Sequence, residues 1–128
     1  MLAAENRLTT AGDFREVVRR GHRSGGPVLV VHLLTPNATP QPDLTAVADR
    51  DPARLRAPRI GLVVSKAVGN AVIRNLVKRR LRHLIRERLA LLPDFSVLVV
   101  RAQPVAAAAS YAVLGEELDR CLGKVLAR

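Results

Sequence analysis

Apolar positions fall into two patterns along this chain. Three short continuous runs, VLVVHLL at 28–34, RIGLVVS at 59–65 and FSVLVVRA at 95–102, are β-branched, of strand length and bounded by breakers, which predicts strands. Elsewhere the apolar residues recur with a helical period. Thr9 or Thr10 is placed to cap a first helix whose opening turn holds Asp13, and which runs through Phe14, Val17 and Val18 to Arg19-Arg20 before Gly21 stops it. Phe14 and Val18 lie four apart and share a face, as core residues or as contacts to a ligand. Ser110 is a candidate cap for a last helix with the stripe Tyr111, Leu114, Leu118, Leu122 and Val125. An edge strand near His22 to Gly25 is compatible with the chain but not legible in it. The order of helix, strands, helix, strand, helix implies an α+β fold, with helices packed on a small mixed sheet.

The stretch Ser65 to Arg86 carries the most information. Beyond Gly69 and Asn70 it becomes one long helix. At roughly 100° per residue, Val72, Ile73, Leu76, Val77, Leu81, Leu84 and Ile85 gather on one broad side, and Arg74, Lys78, Arg79, Arg82 and Arg86 on the other. From Lys66 to Arg88 nine basic residues, His83 among them, meet a single acid, Glu87. A helix that is merely solvated would interleave both signs and gain ion pairs one turn apart. Cations repeated at each turn instead suit successive phosphates of a nucleic acid. Asn70 and Asn75 add neutral donors and acceptors at its start.

Charge extends the same picture to the whole chain, and composition narrows it. The 128 residues suit a single domain, and 21 basic against 11 acidic residues leave a net charge of +10, which favours a polyanionic partner. Phe14, Phe95 and Tyr111 are the only Phe, Tyr or Trp residues, too few rings for a domain that reads RNA by stacking bases on a sheet. The lone Cys121 excludes an internal disulfide framework and reads as a packed thiol. No apolar run is long enough to span a bilayer, and MLAAENRL lacks the order of a signal peptide. The expectation is a soluble, cytoplasmic protein with no membrane partner. Residues 35–58, with five of the eight prolines, read as a long flexible loop joining two neighbouring strands.

Catalytic patterns are missing. There is no HExxH, no CxxC and no glycine-rich phosphate loop. His22, His32 and His83 stand apart, and His32 reads as a half-buried strand residue. Asp43, Asp49 and Asp51 fall in the proline-rich loop, and Glu116-Glu117 on a solvated helix face. A protein-only nuclease would need carboxylates on rigid elements to hold its metals. The chain reads as a binder of nucleic acid with no catalytic side chains of its own. A purely structural RNA-binding protein, such as a ribosomal component, is the alternative.

Asn6-Arg7-Leu8, Asp13-Phe14, Gly21 and the block from Arg59 to Arg82 resemble the protein subunit of bacterial ribonuclease P. The most specific part is Ser65-Lys66, Gly69-Asn70-Ala71-Val72, Arg74-Asn75 and Lys78-Arg79, which looks like that family's Arg-Asn-Arg signature helix. Leu76 stands where the signature has its second Arg, Ala67 where a second Lys is common, Val18 where an aromatic is frequent and His32 where a strand Tyr is often found. The loop at 35–58 is longer than the family's usual connection.

The resemblance implies a fold like domain 2 of ribosomal protein S5, with a left-handed β-α-β crossover that departs from the general preference. It implies a protein that is monomeric apart from RNA. Its partner would be a catalytic RNA that uses Mg²⁺ to cleave the 5′ leader from precursor tRNA, with no metal site in the protein. Lys66, Asn70, Arg74, Asn75, Lys78, Arg79, Arg82 and Arg86 would face the RNA subunit. Phe14, Val18 and His32 would line a cleft for the single-stranded leader.

Overall fold

The computed structural model describes residues 11–35 and 57–127; within its first helix the side chains of 11–14 and 16 lie outside that description. Helix α1 spans Ala11–Arg20, followed by strands β1, His22–Gly25, and β2, Leu29–Leu34. Strand β3 spans Arg59–Val63 and leads to α2, Ala71–Arg86. Strand β4, Val97–Ala102, and helix α3, Tyr111–Leu126, complete the chain. The expected N-terminal arm, the Thr9 or Thr10 cap, the Asp13 side chain and the loop residues 36–56, with Asp43, Asp49 and Asp51, lie outside the described residues.

The sheet order is β1-β2-β4-β3. β1 and β2 pair antiparallel, β2 and β4 antiparallel, and β3 and β4 parallel. The sequence reading had the strands flanking the proline-rich segment as neighbours. In the structure β4 inserts between them, with Leu34 and Arg59 on either side of Val97. The parallel pair β3 and β4 is joined through α2, the β-α-β unit expected of the fold.

Both faces of the sheet are covered, which is why every residue of β2 is buried. Alternation along the strand sends Leu29, Val31 and Leu33 to one face and Val30, His32 and Leu34 to the other. The first set packs with Val77, Leu81, Leu84 and Ile85 of α2 and with Leu114, Leu118, Leu122 and Val125 of α3. The second face meets α1, where Val17 packs on Leu34, Val97 and Val99. Gly21 makes that close approach possible: a Cβ there would lie 2.6 Å from the Val17 carbonyl oxygen and 2.8 Å from that of Leu33.

Three side chains depart from the stripes assigned by periodicity. Val72 is 78% exposed and Tyr111 40% exposed, so both lie beyond the arc that their helices bury. Glu117, expected to be solvated, is largely buried; its Oε1 accepts from Arg120 Nη2 at 2.6 Å. Cys121 is buried, as a packed thiol should be.

Candidate nucleic-acid interface

The turn after β3 sets the start of α2. Val68 N–H donates to Ser65 O at 3.1 Å and Gly69 N–H to Lys66 O at 3.2 Å, while buried Val68 anchors the turn in the core. Asn70 is the N-cap: its Oδ1 accepts from Ile73 N–H at 3.0 Å. One of the residues assigned to RNA contact thus has a structural task, satisfying an otherwise orphan donor of the first turn.

With Val77, Leu81, Leu84 and Ile85 buried, the opposite arc of α2 carries Asn75, Arg79, Arg82 and Arg86. Their spacing of four, three and four residues lines them into one ridge about 16 Å long. Asn75, Arg79 and Arg86 are exposed and Arg82 half-buried. No acid occurs anywhere in α2. Arg74 and Lys78 sit on the flank nearer the core and are half-buried, and Lys66 is exposed in the preceding turn. Arg74 Nε is buried with no hydrogen-bond partner among the described atoms. The sequence reading placed all of these on one face. The structure separates an outer ridge from a lower flank.

Two other cations in the run are occupied within the protein. Arg80 Nη1 donates to Ala109 O at 3.2 Å, tying α2 to the approach of α3. Arg88 forks onto Asp119 of α3 and donates to Leu84 O at 2.7 Å. The hydrogen bond from Arg88 holds the Asp119 carboxyl below its usual range. Glu87, the acid closest to the ridge in sequence, lies 3.6 Å from both His83 and Arg88.

A second polar group forms on the sheet face covered by α1. His32 is in register with Arg23 of β1 and Val99 of β4, and Arg101 is in register with Val30. Cross-strand partners share a face, so Arg23, His32 and Arg101 converge beside the Val17 contact. His32 is buried, at 5% exposure instead of half-buried, and its Nδ1 has no partner. Burial first, then the charges of Arg23 and Arg101, push its pKa below the ordinary 6.5. Val18, 45% exposed, stands on the outer side of α1. The side chain of Phe14 is outside the described residues. Arg23 and Arg101 were not singled out in the sequence; the period-two alternation of 95–102 puts Arg101 opposite the α2 face, while β1 is too short to signal anything.

Among the described residues no group of three or more His, Cys, Asp or Glu side chains could hold a metal ion, and no helix is long and apolar enough to cross a membrane.

Comparison with known proteins bears on the family and the fold. The Ribonuclease P family model matches residues 2–126. The chain is 51% identical over 125 residues to the ribonuclease P protein component of a Nocardioides species, covering 98% of this chain and 95% of that one. It is 52% identical over 124 residues to that of Salinispora tropica, covering 95% and 91%. The fold is similar to the Staphylococcus aureus RNase P protein, with a TM-score of 0.72 at 23% identity over 94% of this chain and 97% of that one. The Thermotoga maritima RNase P protein superposes with a TM-score of 0.70 at 20% identity, over 93% and 96%.

Proposed function

The chain belongs to the bacterial ribonuclease P protein family, whose members are part of the ribonucleoprotein that processes tRNA 5′ ends, and from that premise we propose that its two polar surfaces divide the RNA contacts. The outer ridge of α2, Asn75, Arg79, Arg82 and Arg86, docks on the catalytic RNA, with Lys66, Arg74 and Lys78 on its flank and Asn70 at its cap. The observation that carries this is the ridge itself: cations at each turn, no acid in the helix, and an inner face committed to the core. Such a surface gains affinity by displacing counterions from phosphates.

The face beneath α1 takes the 5′ leader of precursor tRNA. Exposed Arg23 and Arg101 supply charge beside buried His32, whose imidazole burial keeps neutral, and α1, which carries Val18 and Phe14, borders this surface. The Mg²⁺ of the reaction is assigned to the RNA subunit, as the family resemblance implies. The protein works in the cytoplasm, as one copy per RNA.

The test is cleavage of precursor tRNA by the cognate catalytic RNA, alone, with the chain, and with the triple variant Arg79→Ala, Arg82→Ala, Arg86→Ala. The chain is expected to raise cleavage at concentrations where the triple variant does not. Cleavage by the chain without RNA, or a triple variant as effective as the wild type, rejects the assignment.

A further inference from the structure

The ridge of α2 has a neighbour that phosphate binding does not use. Val72, Leu76 and His83 follow the same helix face about one step round from the arginines. Together with Asn75, Arg79 and Arg82 they line one concavity. At its C-terminal end the His83 ring meets the Tyr111 ring of α3, with centroids 6.1 Å apart and planes tilted by 59°. The bond from Arg80 to Ala109 O and the Ser110 cap of α3, which accepts from Val113 N–H at 3.2 Å, fix Tyr111 in place. Yet both rings stay open to solvent, with the His83 side chain 59% exposed.

A core or helix junction would bury such rings; a duplex-binding surface would need only the cations. A rail of donors beside a rail of apolar and aromatic surface instead matches an unpaired strand, whose phosphates and bases point to different sides. We propose that the His83–Tyr111 pair is a stacking platform for one unpaired base of the catalytic RNA, held there while Arg79, Arg82 and Arg86 bind the adjoining phosphates. This rests on the assignment of α2 to that RNA. Tyr111 is the only tyrosine and there is no tryptophan, so the platform can be watched by itself.

The experiment measures the affinity of the full chain for the cognate catalytic RNA across a salt series, for Tyr111→Phe, Tyr111→Leu and Arg82→Ala. Tyr111→Phe keeps the ring and should bind as the wild type does. Tyr111→Leu keeps apolar bulk without the ring and should lose about 5- to 100-fold in affinity with its salt slope unchanged. In the single-tryptophan variant Tyr111→Trp, saturating RNA should quench the indole emission. Wild-type affinity in Tyr111→Leu, or an unquenched indole, overturns the platform. If Arg82→Ala meanwhile shallows the salt slope, the α2 assignment survives that failure. If the slope does not move, the α2 assignment itself has failed.

Discussion

Substituting Gly21 by Ala should loosen one RNA surface and spare the other. The new Cβ falls 2.6 Å from Val17 O and 2.8 Å from Leu33 O, and both are backbone atoms that no rotamer change can move. Relief requires α1 to shift against β2 by several tenths of an ångström, disturbing the Val17 contact with Leu34, Val97 and Val99. Overpacking of this kind costs about 1–3 kcal/mol, which in a chain of this size lowers Tm by roughly 4–12 °C. Because α1 and α2 lie on opposite faces of the sheet, affinity for the catalytic RNA should hold. Discrimination between precursor and mature tRNA by the reconstituted enzyme should fall, since the α1 wall of the leader cleft has moved. Thermal unfolding and the two binding measurements read all three effects. An unchanged Tm, or equal losses for catalytic RNA and precursor, would refute the reasoning.

Two further predictions concern groups inside the fold. Replacing Arg88 by Ala removes the fork to Asp119 and the bond to Leu84 O and should cost about 1–2 kcal/mol. A double-mutant cycle with Asp119→Ala should return a coupling of roughly 0.5–1 kcal/mol, and a coupling of zero in chemical denaturation would show the pair to be idle. For His32 the native pKa lies below 6.5 through burial and the charges of Arg23 and Arg101. The unfolded chain therefore binds the proton more readily. Stability is complete above 6.5 and is lost as pH falls from there toward the lowered native value. His32→Gln should flatten the denaturation midpoint across that window; the same acid loss in the variant would assign it elsewhere.

Much of the fold is legible in the chain, for physical reasons that also mark where legibility ends. The runs at 28–34, 59–65 and 95–102 become strands because β-branched residues buried on both faces leave a continuous apolar signal. β1 leaves none: of HRSG only Ser24 is buried, and glycines close in at both ends. The insertion of β4 between β2 and β3 is a long-range pairing, invisible to local pattern. In α2 the period identifies Val77, Leu81, Leu84 and Ile85 as core, yet places Val72 with them because periodicity sees residue type and not the width of the contact. Charge alone likewise cannot tell Arg79 and Arg86, which face solvent, from Arg80 and Arg88, which partners on the approach to α3 and on α3 itself engage. Convergence of Arg23, His32 and Arg101 depends wholly on strand register.

That contrast among the arginines makes the most direct test of the central claim, that the outer ridge of α2 meets RNA phosphates. The measurement is the log–log salt dependence of affinity for the cognate catalytic RNA, for the wild type and five single alanine variants. With five or six phosphate contacts the wild-type slope should be near −4. Arg79→Ala, Arg82→Ala and Arg86→Ala should each shallow it by about 0.7–0.9. Arg80→Ala and Arg88→Ala, whose side chains are already bonded within the protein, should leave it unchanged. Equal shallowing in all five, or no change in the first three, would contradict the account.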